Sequence, residues 1–306
     1  MRYWIGITDW DWFRFLAARP DLLEVNFWQP SAGRQPVRLD PGALFLFKLH
    51  AEHGGWIVGG GWFLKYEAMP ITWTWDAFGE ENGAATFEQM AARIQRYRRT
   101  TVDVHADRVG CLVLVEPFFL HEAEWIAPPV DWAPNIVQGK GYDSDAGEGA
   151  RIWNQVQLAL ARRARAVEHE VAESRYGNPI LVKPRLGQGA FRLLVTDAYE
   201  RRCAVTGERT LPVLDAAHIK PYASSGPHDV RNGLLLRKDL HALFDAGYVT
   251  VTPTHELRVS RRIREEFQNG RDYYALDRHP VRPPAPPAPP PSAEYLEWHG
   301  DMVFRG

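Results

Sequence analysis

The chain has 306 residues, of which 45% are hydrophobic and 24% charged, and a formal net charge of −2. That length fits two domains, each able to bury a core, and the composition excludes a disordered or fibrous chain. No run reaches the ~18 consecutive apolar residues of a membrane helix; Asp9 and Asp11 interrupt the start where a secretory signal would stay apolar; and two distant cysteines, Cys111 and Cys203, exclude a disulfide framework or a four-cysteine zinc site. A cytoplasmic protein is expected, with no membrane contact and no structural zinc.

Charge and aromatics divide the chain. Residues 1–150 carry 13 Lys and Arg against 20 Asp and Glu, whereas residues 151–306 carry 23 against 18. A basic excess in the second half is compatible with nucleic acid there. Ten of the twelve tryptophans precede residue 133. In chain order, Phe45 to Leu49, Trp56 to Val58 and Cys111 to Val115 are short apolar runs that predict strands. Thr86 to Arg99 predicts a helix: Thr86 can cap it, and Phe87, Met90, Ile94 and Tyr97 recur at helical spacing. Residues 133–150 hold several glycines and a proline and predict a flexible boundary. A long helix follows from Arg151 to Glu173, then a Gly-punctuated turn from Val182 and a helix from Phe191 to Tyr199. Pro283 to Pro291 predicts extended polyproline, a stiff spacer. The expected division is 1–132, a linker at 133–150, and 151–306.

The chemistry concentrates between 210 and 250. Leu211 to Pro221 predicts a strand bearing His218, Pro227 to Gly233 a loop, Leu234 to Leu236 a strand, and Asp239 to Ala246 a helix. His241 and Asp245 stand four apart, so they share one helix face and form half of a divalent-cation site. Each residue also has an ordinary use. His218 could be a satisfied core histidine, Asn232-Gly233 a simple turn, and His228 merely a loop residue. Cys203 fits a small buried hydrophobe.

The ordered His218, Asn232 and His241, with gaps of 14 and nine residues, resemble the ββα-metal (HNH) nuclease family. Arg202-Cys-Ala-Val-Thr-Gly207, Ala216-Ala-His-Ile219, Asn232-Gly-Leu-Leu-Leu236 and Leu240-His-Ala-Leu-Phe-Asp245 resemble its bacterial restriction-type branch, over roughly 185–265. The resemblance implies that His218 is the general base, that His241 and Asp245 hold Mg²⁺ or Mn²⁺, and that Asn232 braces the loop. One position departs from the pattern: the usual ligand just before the base is Ala217, with Asp215 two residues earlier as a substitute candidate.

In the first half, Tyr3-Trp-Ile-Gly-Ile7, Glu24-Val-Asn-Phe-Trp-Gln-Pro30, Phe45 to His50 and Ile57 to Phe63 resemble the PUA-like superfamily of EVE, ASCH and SRA-type readers. That resemblance implies a small barrel that flips a modified base into an aromatic pocket, with Asn26, Trp28 and Trp62 as candidates; the same tryptophans would also serve a core. The expected fold class is α+β, a PUA-like β-barrel domain joined to a ββα-metal HNH domain. The expected function is modification-dependent cleavage of double-stranded DNA by a homodimer, as a restriction system acting against phage. Two rivals are an HNH nuclease whose first domain senses another ligand or partner, and a nucleic-acid-binding protein with a decayed centre.

Overall fold

From Leu44 to Leu49 every side chain is buried, so both faces of this strand must be covered. A computed structural model describes residues 1–19, 21–32, 39–172 and 186–306, with 164–172 described by backbone alone. It divides into two units, Met1–Arg185 and Leu186–Gly306.

The first unit contains β1 (Arg2–Thr8), α1 (Trp10–Ala17), β2 (Glu24–Gln29), β3 (Leu44–Leu49), β4 (Ile57–Pro70), α2 (Ile71–Phe78), α3 (Phe87–Arg98), β5 (Arg108–Phe119), β6 (Gly139–Asp143) and α4 (Gly147–Ala172). Its sheet runs β2-β5-β4-β3-β1-β6. Only the β1–β3 pairing is parallel. Alternation along β3 feeds two cores. Phe45, Phe47 and Leu49 meet Trp12, Phe13 and Leu16 of α1. Leu44 and Leu46 share the other core with Tyr3, Ile5 and the α4 residues Ile152, Val156 and Ala159. Irregular register at Gly60/Trp62 and Phe63/Lys65 marks β4 as a bent strand. The close approach of β5 needs Gly59, where a Cβ would stand 2.2 Å from the Phe118 carbonyl oxygen. The sheet is large and covered by helices on both faces, and among the described residues no β2–β6 pairing closes it into the expected barrel.

Asp9 caps α1 by accepting from the Asp11 and Trp12 amides at 2.9 and 3.2 Å. Thr86 caps α3 as expected, accepting from Gln89 N–H at 3.3 Å.

The second unit contains α5 (Gln188–Ala198), β7 (Leu214–His218), β8 (Gly233–Arg237), α6 (Lys238–Asp245), β9 (Val249–Val251), β10 (Leu257–Val259), α7 (Arg262–Phe267), α8 (Arg271–Tyr274) and α9 (Ala293–Met302). β7–β8 and β9–β10 are antiparallel pairs. One core gathers Phe191 and Val195 from α5, Leu234 to Leu236 from β8, Leu240 and Phe244 from α6, and Leu296 from α9. Cys203 is buried in it, as a small hydrophobe. His299 is 2% exposed; it lies 2.8 Å from Thr250 Oγ1 through Nδ1, and 3.1 Å from the Phe244 carbonyl through Nε2. The carbonyl can only accept, so Nε2 carries the proton and Nδ1 accepts from Thr250. Burial pushes this imidazole down to about 4, against the opposing hydrogen bond to Phe244.

Several expectations change. The segment 133–150 is not a free linker: its residues 139–143 form β6, which pairs with β1, and α4 already begins at Gly147. The division between units falls instead between Arg185 and Leu186. The expected strand from Leu211 begins only at Leu214, after a short 3₁₀ turn. Pro283 to Pro291 is not a free spacer, because a turn interrupts it, Ala285 N–H donates to Ala198 O at 2.7 Å, and Ala288 packs on the core. The end of the expected helix at Glu173 and the turn residues 182–185 lie outside the described residues. Among those described, no helix is long and apolar enough to cross a membrane.

Candidate active site

His218 ends β7 directly opposite Gly233, the first residue of β8. Gly233 is needed there because a Cβ would lie 2.4 Å from Val195 of α5. The chain between these strands is closed by Asn232, which is fully buried. Its Oδ1 accepts from Lys220 N–H at 2.9 Å, and its Nδ2 donates to the Lys220 and Pro227 carbonyls, each at 2.9 Å. A backbone bond from Ile219 N–H to Asn232 O, 2.9 Å, completes the closure. Asn is the short side chain that offers a donor and an acceptor together, so a simple turn role does not account for it.

The His218 ring stacks on Phe191 at 3.8 Å with 12° between planes. Its Nε2 lies 2.9 Å from Nδ1 of His228, ten residues along the loop. Burial, helped by the nearby His228 and His241, pushes the His218 imidazole down to about 4. At neutral pH it is therefore uncharged and able to take a proton.

Helix α6 presents the second cluster. His241 Nε2 stands 3.3 Å from Asp245 Oδ2, on the shared face expected from their spacing, and its Nδ1 stands 3.1 Å from Asp215 Oδ2. Arg192 reaches Asp215 Oδ1 at 3.3 Å. Burial opposes charge on His241, but the Asp215 hydrogen bond and the two carboxylates outweigh it and raise its pKa. Burial likewise opposes charge on Asp215, yet the bond to His241 and the Arg192 charge hold its carboxyl below the usual range.

The cluster fits a divalent cation on its Asp245 side. Two ligands ~2.1 Å from one ion at angles near 90–110° stand ~3.0–3.4 Å apart, which brackets the 3.3 Å between Nε2 and Oδ2. Asp245 is 60% exposed, leaving room for water and phosphate oxygens. Asp215, expected as a ligand, lies on the opposite ring edge. There it holds the imidazole by its other nitrogen, the position of a carboxylate that orients a metal-binding histidine. Ala217 is fully buried in the core. Among the described residues no group of three His, Cys, Asp or Glu side chains converges on a common point for a metal ion.

Of the candidates in the first unit, Trp28 lines a cavity. This space of about 600 Å³ is walled by Trp12, Phe27, Trp28 and Tyr97, with Asp9 and Arg98 among its polar groups. The Trp28 indole N–H donates to Asn82 O at 2.9 Å. Asn26 is buried beneath, donating its amide to Asn82 Oδ1 at 2.8 Å, and does not reach the cavity. Trp62 packs with Phe118 on the α4 side of the sheet. By spacing Tyr97 belongs to the apolar stripe of α3, whereas its hydroxyl bonds to Asp9 across the unit.

Residues 203–252 match the model of the HNH endonuclease family. No curated protein matches the chain. Among solved structures, a mutant ZmASCH protein from Zymomonas mobilis aligns at 11% identity, covering 49% of this chain and 94% of its own, with a TM-score of 0.31. A structure described as the modification-dependent TagI restriction endonuclease aligns at 16% identity, covering 92% of this chain and 75% of its own, with a TM-score of 0.31. HNH nucleases generally use divalent metal ions, and a nuclease domain implies a DNA substrate. Residues 203–252, which include His218, Asn232, His241 and Asp245, thus form an HNH endonuclease domain within the second unit.

Proposed function

We propose that the chain is a modification-dependent DNA restriction endonuclease, cutting duplex DNA at the His218 centre after its first unit has read a modified base. The observation that carries the cutting half is His218 fixed between Phe191 and His228 on the hairpin that leads into His241 and Asp245. His218 takes a proton from the attacking water. The new O–P bond forms as the P–O3′ bond breaks, leaving a 5′-phosphate and a 3′ oxyanion that takes its proton from solvent water to become the 3′-hydroxyl. His241 and Asp245 would hold Mg²⁺ or Mn²⁺, with Asp215 orienting His241; when bound, the ion would supply charge stabilisation to the phosphorane and the departing oxygen. Asn232 fixes the loop that brings His228 to His218. General-base help of this kind is worth ~10²–10⁴-fold. His218→Ala should lose that factor in plasmid nicking while keeping its fold; wild-type nicking by the purified variant refutes the assignment.

The reading half is supported by the aromatic cavity at Trp28. Stacking a flipped base on such rings contributes roughly 1–3 kcal/mol, which offsets part of the unstacking cost. An acidic unit is poorly suited to general backbone binding, and phosphate contacts cannot distinguish a modified base from its parent. A two-fold dimer would give both antiparallel strands an equivalent centre; efficient double-strand breaks by a species that sediments only as a monomer on DNA would contradict it. Such selectivity suits a cytoplasmic restriction system acting against phage. The rival of a decayed centre rests on Ala217 alone, and active nicking would dispose of it. The rival of a first unit that senses another ligand or partner would be favoured by equal cleavage of plain and modified DNA.

A further inference from the structure

Two imidazoles meet at the end of β7, and the family's motif names only one. His228 is 2.9 Å from His218, Nδ1 to Nε2, and among the described residues the His218 ring makes no other hydrogen bond. Both rings are held by aromatic plates: His218 lies on Phe191 at 3.8 Å and 12°, and His228 lies on Tyr222 at 4.8 Å and 16°. The backbone carrying His228 is equally fixed. Asn232 Nδ2 donates to the carbonyl of Pro227, the residue just before it. Asp229 N–H bonds to the same carbonyl at 3.0 Å. Gly226 is pressed against Lys220, where a Cβ would lie 1.9 Å from its carbonyl oxygen, so the turn has one path.

We propose that His228 is the positioning residue for His218, accepting the His218 Nε2–H on its own Nδ1 and thereby presenting the His218 Nδ1 lone pair as the proton acceptor. A neutral imidazole has one N–H and one lone pair, and the bond made by one nitrogen decides the state of the other. A donor at His228 Nδ1 would leave His218 with its proton on Nδ1, where no water could be deprotonated. An acceptor there does the reverse. After His218 takes up the water proton at Nδ1, its Nε2–H still faces the His228 lone pair, and the hydrogen bond becomes charge-assisted. A carboxylate in the same place would also orient the ring but would raise its pKa; a neutral partner leaves the base uncharged at neutral pH, in line with the lowered value at His218. Asp215 and His241 face His218 only at longer range.

The proposal rests on His218 being the base, and the test separates the two. In the full chain, His228→Ala should lower kcat of plasmid nicking about 10–100-fold, the usual cost of an orienting partner, with KM unchanged within about twofold. His228→Asn places an amide oxygen near the Nδ1 position and should recover activity to within about threefold of wild type. Long-range ¹H–¹⁵N spectra of histidine-labelled wild type at pH 7 should show His218 protonated at Nε2. Unchanged kcat in His228→Ala, no rescue by His228→Asn, or a His218 proton on Nδ1 would each overturn the proposal. If His228→Ala does not fold, the Asn variant and the wild-type spectrum decide it. Inactive His218→Ala beside fully active His228→Ala removes the positioning role alone; active His218→Ala removes the base assignment itself.

Discussion

Replacing Asn232 by Ala removes three side-chain hydrogen bonds from one buried point, two to Lys220 and one to Pro227. At ~1 kcal/mol net each, the direct loss is about 3 kcal/mol. Pro227 is exposed and Lys220 half-buried, so water can reach the freed groups. The extra penalty for buried unsatisfied groups, ~1–3 kcal/mol each, is therefore largely avoided. A domain of ordinary stability, ~5–15 kcal/mol, stays folded after such a loss. The damage should be local, because Asn232 ties residues 219–232 to the end of β7. Hydrogen exchange should show lost protection at Ile219 and Lys220 with the β9–β10 pair unaffected, and nicking should fall about 10–100-fold as His228 loses its anchor. Asn232→Asp separates the donor from the acceptor. It keeps an oxygen for Lys220 N–H but sets a carboxylate against two carbonyls, so at pH 7 it should be at least as damaging as Ala and should recover part of its loop protection in acid. Unaltered protection and nicking in Asn232→Ala would refute the claim that this side chain holds the loop.

Among further expectations, His241→Ala or Asp245→Ala should abolish Mg²⁺- or Mn²⁺-dependent nicking, whereas Asp215→Asn should reduce it about 10–100-fold; a Mn²⁺ anomalous peak far from His241 would sink this assignment. Acid should destabilise the second unit. His299 is lowered to about 4 in the fold from ~6.5 when unfolded. Below ~6.5 the unfolded chain binds more protons, so stability is full above that pH and falls as pH drops toward about 4, by up to ~3 kcal/mol for this group. Urea midpoints of wild type and His299→Gln at pH 7 and 5 measure it, and an equal acid loss in both excludes His299 as the source. Trp28→Ala should weaken the preference for modified DNA, whereas Trp62→Ala should cost stability and leave that preference intact; the opposite pattern would move the reading site across the sheet.

The candidate site was legible in the sequence because its parts are local. The gaps between His218, Asn232, His241 and Asp245 are those of a hairpin and one helix, and those elements appear where the apolar runs place them. The sequence places His228 in a loop and shows no more, because its contact with His218 depends on the Asn232–Pro227 bond, which no periodicity reports. Trp28 and Trp62 carry the same side chain, and only strand pairing decides their faces: Trp28 opposes Cys111 on edge strand β2, while Trp62 lies inside the sheet between β3 and β5. The strand at 139–143 was hidden by its glycines, since its order comes from pairing with β1 rather than from its own composition.

The most direct measurement is cleavage by the full chain, with Mg²⁺ or Mn²⁺, of matched DNAs that differ only in their cytosines: plain, methylated, hydroxymethylated or glucosylated. Wild type should cut at least one modified form in preference to plain DNA, and His218→Ala and metal-chelated wild type should cut none. Equal cutting of every form would contradict the reader, and cutting by His218→Ala would contradict the centre on which the whole account rests.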